Sequence, residues 1–78
     1  MKTISSKKST LKFFGARLRQ LRLQNGLTQR EVAEKLSISQ SAYSKKEKGI
    51  YNSTCKQLFN ICKLFDVSAD YLLGLTEY

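Results

Sequence analysis

The chain has 78 residues, room for one domain with a small core, since a body of this size buries only about 60% of the surface its unfolded form exposes. Fourteen Lys and Arg against six Asp and Glu give a net charge of +8; the basic residues gather in 1–30, which holds no acidic side chain, and the acidic ones alone occupy 64–78. This lopsided positive field favours a polyanionic partner; with no histidine and only two cysteines a closed four-ligand zinc site cannot be assembled, and without paired carboxylates at useful spacing nothing supplies acid and base for an enzyme, so no cofactor or metal is expected.

The opening "MKTISSKKST" has the basic start of a signal peptide without its apolar stretch or cleavage site. No run approaches the ~18 apolar residues of a membrane span, so a cytoplasmic protein with no membrane partner is expected. Residues 1–9 are too poor in apolar side chains to offset the entropy of ordering, and they are expected to form a flexible basic arm ahead of a domain over 10–78.

Proline is absent and apolar residues recur at intervals of three and four, so the domain reads as all-α. A first helix is predicted from Thr10 to Asn25, burying Phe14, Leu18 and Leu21 and stopping at Gly26. Gly15 within it costs about 1 kcal/mol against alanine, which points to close packing. Phe13 and Leu23 look surplus to the core. Thr28 with Glu31 forms a capping box for a short second helix with the apolar stripe Val32, Ala33 and Leu36. Ser39 caps a third helix, ended by Gly49. Thr54 with Gln57 is a second capping box, opening a fourth helix with the inner face Cys55, Leu58, Ile61, Cys62 and Phe65. Ser68 caps a short fifth helix holding Tyr71, Leu72 and Leu73, with Gly74 after it.

On one helix, Cys55 and Cys62 lie ~10.5 Å apart along the axis. That exceeds the ~7 Å limit for a disulfide, so both read as small core residues. Phe14, Tyr43, Phe59 and Phe65 also read as core at helical spacing, in preference to a stacking platform for single-stranded bases.

Placed on a helix at ~100° per residue, Gln40, Ser41, Ser44, Lys45 and Lys48 fall within an arc of roughly 140°. Ala42, Tyr43 and Lys46 lie opposite, with Glu47 at the border. An ordinary solvated face is one reading of this arc. The other is a surface for DNA, because amide, hydroxyl and ammonium groups match base edges and phosphates. The preceding helix favours the second, since two short helices joined by a tight turn brace the latter one for a major groove.

Three stretches, "FGARLRQLRLQNGLTQREVAEKL", "SISQSAYSKKEKG" and "FDVSADYLLG", in this order and spacing resemble the Cro and phage-repressor (Xre-like) helix-turn-helix family. The resemblance implies a compact five-helix, lambda-repressor-like bundle with the helix-turn-helix at helices 2 and 3. It implies that Gln40, Ser41, Ser44 and Lys45 face base edges. It also implies that Gln29, Ser39, Asn52 and Thr54 contact phosphate, a set that Lys48 is expected to join from its place on the polar arc, and that Arg22 and Glu47 form a largely buried salt bridge. Three positions depart from the family pattern. Ser37 stands where glycine is usual, so the turn either tolerates a strained residue or takes another shape. Lys46 replaces an apolar or aromatic residue, so its stem is expected to cover the core while its ammonium reaches solvent or phosphate. Ser53 replaces a common proline, which suggests a looser loop.

The expected function is sequence-specific binding of double-stranded DNA as a transcriptional regulator, most simply a repressor, acting as a homodimer on a palindromic operator. Leu72, Leu75 and Tyr78 are expected at the dimer interface. The alternatives are a protein-interaction module of the same fold, such as an antitoxin or adaptor, and a controller protein of a restriction-modification system. RNA is disfavoured, because a helix shaped for a wide major groove does not fit the deep, narrow one of A-form RNA.

Overall fold

The computed structural model describes residues 7–50 and 53–76, and over them five helices joined by short turns make up all of the regular structure. They are α1 (Lys7–Gln24), α2 (Gln29–Leu36), α3 (Gln40–Glu47), α4 (Cys55–Phe65) and α5 (Ala69–Leu73). Local chemistry starts four of them. The Thr28 hydroxyl accepts from the Glu31 amide at 3.0 Å, and the Glu31 carboxylate accepts from the Thr28 amide at 2.8 Å. Thr54 and Gln57 repeat this reciprocal box at α4, while Ser39 and Ser68 cap α3 and α5 by accepting from Ala42 and Tyr71.

The helix ends follow one rule: a residue in the left-handed conformation turns the chain, and the next amide closes back onto the last turn. Ser37, at φ 60°, does this after α2, with the Ile38 amide donating to the Ala33 carbonyl at 3.0 Å. The turn therefore keeps its shape and the serine carries the strain. Asp66, at φ 56°, plays the same part after α4.

α3 packs on α1 and α2, α5 packs on α1, and α4 packs on α2 and α5. The core between them is Phe14, Leu18, Leu21, Val32, Ala33, Leu36, Tyr43, Ile61, Phe65 and Leu72. Gly15 is where α1 and α3 meet: a Cβ there would lie 2.5 Å from the carbonyl oxygens of both Lys46 and Glu47. A side chain would push the two helices apart.

Several expectations change. α1 begins at Lys7, three residues before the predicted Thr10, because its first turn needs no apolar stripe to continue a helix already anchored at Phe14 and Leu18. Residues 1–6 of the expected arm lie outside the described residues. On α4, Leu58, Ile61, Cys62 and Phe65 form the inward stripe, whereas Cys55 is exposed and Phe59 is 61% exposed. At ~100° per residue these two sit on the flank of that stripe, beyond the cover that α2 and the single turn of α5 provide. The Lys63 ammonium lies 5.4 Å from the Phe59 ring centre. Phe13 and Leu23 are exposed. Leu72, expected at a dimer interface, is fully buried in the monomer core, because α5 turns that side inward onto α1.

Candidate nucleic-acid interface

α3 has two unlike sides. Gln40, Ser41 and Lys48 are exposed and Ser44 and Lys45 half-buried, all along one edge, while Tyr43 and Lys46 are buried on the other. Its placement depends on polar contacts as much as on apolar packing. Arg22 of α1 grips Glu47 with both arms of its guanidinium, Nε to Oε2 at 2.6 Å and Nη2 to Oε1 at 3.2 Å, and donates through Nη1 to the Leu27 carbonyl. Gln29 of α2 donates its amide to Glu47 Oε1 at 3.1 Å. One carboxylate at the end of α3 thus ties α1, α2 and α3 together.

Burial pushes the Glu47 carboxyl up, but hydrogen bonds from Arg22 and Gln29, the nearby Tyr43 hydroxyl and the Arg22 charge outweigh it and hold the group below its ordinary 4.5. The hydrogen bond to Glu47 likewise raises Arg22 above its ordinary value. The Tyr43 hydroxyl is buried beside this pair without a partner at hydrogen-bond geometry among the described residues, so its influence is that of a neighbouring dipole. Burial pushes its own ionisation above the ordinary 10.0.

The residues expected on phosphates occupy the rims of this face. Ser39 and Thr54 are exposed helix caps whose oxygens accept backbone amides, leaving each hydroxyl proton to donate outward. Gln29 stands at the first position of α2 with its amide nitrogen turned inward to Glu47, so the side-chain oxygen and the helix-start N–H are what it offers a phosphate. Asn52 lies outside the described residues, as does Tyr78. An open groove of about 480 Å³ runs between the α2–α3 turn and the first turn of α4, with Lys35 and Lys56 among its walls.

Lys46 corrects another expectation. Its ammonium does not reach solvent: the residue is 3% exposed, and Nζ donates to Gln57 Oε1 on α4 at 2.9 Å. Burial lowers its pKa from the ordinary 10.5. The helical angle alone places Lys46 on the inner side, but nothing in the local sequence marks Gln57 as its partner.

The model of the helix-turn-helix family matches residues 18–72. The chain belongs to that family. A Bacillus subtilis (strain 168) protein named as the uncharacterized HTH-type transcriptional regulator YobD is 43% identical over 61 residues, which are 78% of this chain and 54% of that protein. This chain therefore spans about half the length of the curated relatives it matches. Among solved structures, the clp gene regulator ClgR from Corynebacterium glutamicum superposes with a TM-score of 0.77 at 29% identity, over 83% of this chain and 69% of that one. The restriction-modification controller protein C.AhdI from Aeromonas hydrophila superposes with a TM-score of 0.75 at 28% identity, over 82% of this chain and 97% of that one.

Proposed function

We propose that the chain is a DNA-binding transcriptional regulator, a repressor in this reading, which inserts α3 into the major groove of double-stranded DNA. The carrying observation is the single polar edge of α3 (Gln40, Ser41, Ser44, Lys45, Lys48), opposed by the buried Tyr43 and Lys46 and braced by the Arg22–Glu47 pair. Gln40 suits adenine N6 and N7, Lys45 suits guanine O6 and N7, and the two serines accommodate either kind of edge. Gln29, Ser39, Lys48, Asn52 and Thr54 serve the phosphates, so binding weakens steeply with salt.

One such module reads few base pairs. A homodimer on a palindromic operator, with half-sites about one DNA turn apart, supplies the missing specificity. With Leu72 in the core, the dimer surface falls to exposed apolar residues around the end of α5, Leu73 and Leu75, together with Tyr78. A cytoplasmic location fits a DNA target, and among the described residues no helix is long and apolar enough to cross a membrane. The likeness to C.AhdI over nearly that whole chain favours a restriction-modification controller as the second reading of the regulatory role.

The test is Gln40→Ala combined with Lys45→Ala. Both side chains leave the core untouched, so the circular dichroism melt should stay within ~0.5 kcal/mol of the parent. Affinity for the preferred duplex should fall by about 5- to 150-fold for each lost contact. Unchanged DNA affinity in a folded double variant would refute this reading and turn attention to a protein-interaction module.

A further inference from the structure

α3 and α4 share little direct packing; each leans instead on α2, with α1 behind α3 and α5 behind α4. Between them runs a chain of hydrogen bonds. Lys46 Nζ donates to Gln57 Oε1 at 2.9 Å, and the same oxygen accepts from the Thr54 amide at 3.1 Å. The Gln57 amide in turn donates to the Thr54 hydroxyl oxygen at 3.1 Å. A side chain from the proposed reading helix thus enters the capping box of the next helix.

Burying an ammonium is costly, and an apolar side chain of similar length would fill the same buried space without that cost. What the ammonium provides is direction. An apolar contact tolerates sliding, whereas a bond to an oxygen already fixed by the Thr54 amide holds the first turn of α4 at one distance from α3.

Resting on the DNA-binding reading above, we propose that Lys46 is a positioning residue for DNA: through Gln57 it sets where Thr54 stands relative to the base-reading edge of α3. The reading edge and the α4 phosphate clamp then meet the duplex in register, with no contact between Lys46 and DNA.

The test compares the parent protein with Lys46→Met on the duplex that the parent selects from a random pool, and on the same duplex carrying one changed base pair. Removing a buried charge leaves stability to urea unchanged or raised. Affinity falls roughly tenfold, as expected for the loss of a hydrogen bond to a phosphate. It falls equally on both duplexes, because a displaced phosphate clamp weakens binding uniformly whereas a displaced base contact changes discrimination. Lys46→Leu should behave alike. Parent-like affinity in the folded variants would overturn the inference and leave the DNA-binding reading standing. Failure of both variants to fold would make Lys46 a plain structural requirement and also overturn it. If the parent selects no duplex, the DNA-binding reading itself falls, and this inference with it.

Discussion

α3 and α4 are both short helices with a hydroxyl cap at the start, yet they are held in the fold by different means. α4 presents Leu58, Ile61, Cys62 and Phe65 along one stripe and is held by apolar area, with Phe59 left outside. α3 buries one large apolar side chain, Tyr43, beside the polar Lys46 and the Glu47 carboxylate, and is located by the Arg22–Glu47 pair, the Lys46–Gln57 bond and the close approach at Gly15. Apolar area stabilises without direction; ion pairs and backbone contacts fix an angle and a distance. The second kind of support is what α3 requires if, as proposed, it meets base edges within a fraction of an ångström.

The contrast breaks most sharply at Arg22→Ala. Glu47 would remain buried without its partner, at a cost of roughly 3 to 5 kcal/mol, to be read from urea midpoints. Replacing both partners, Arg22→Met with Glu47→Leu, should be clearly less damaging than either single change, because no charge is left buried alone. The same pair sets the acid limb. The folded Glu47 carboxyl holds its proton less tightly than in the unfolded chain, so its stabilisation is complete above about the ordinary 4.5 and is lost as pH falls from there through the folded value. Glu47→Gln should flatten that part of the stability profile.

Gly15→Ala comes next. A better helix former is forced against two carbonyl oxygens of α3, and we expect a net loss of about 1 to 3 kcal/mol, visible as a lower melting temperature. A gain in stability would mean that the α1–α3 approach yields easily, and the contrast would weaken. The smallest effect belongs to α4: Phe59→Ser should stay within about 0.5 kcal/mol of the parent, since the ring lies on the surface. A large loss there would show that α4 is located as specifically as α3.

Much of the fold is legible in the residues themselves, because helix starts and stops are local chemistry. Thr28, Ser39, Thr54 and Ser68 each cap with their own hydroxyls, and Gly26, Gly49 and Gly74 take the left-handed turns. Periodicity identifies an inward face, but it does not say how far neighbours cover it. Hence Phe59 and Cys55 are read as core and lie outside, while Leu72, on a helix of one turn, is read as surface and lies within. At the site, the polar edge of α3 follows from helical angles alone. The Arg22–Glu47 pair spans 25 residues and is suggested by family resemblance, since no periodicity joins residues so far apart. The Lys46–Gln57 bond is tertiary in the same sense and had no local signal at all.

We have proposed that the polar edge of α3 reads DNA sequence. The most direct test is to present the parent protein with a random pool of duplexes at physiological salt and sequence what it retains. An enriched inverted repeat with half-sites about one helical turn apart is the expected result. Retention without enrichment, or no retention, would contradict it.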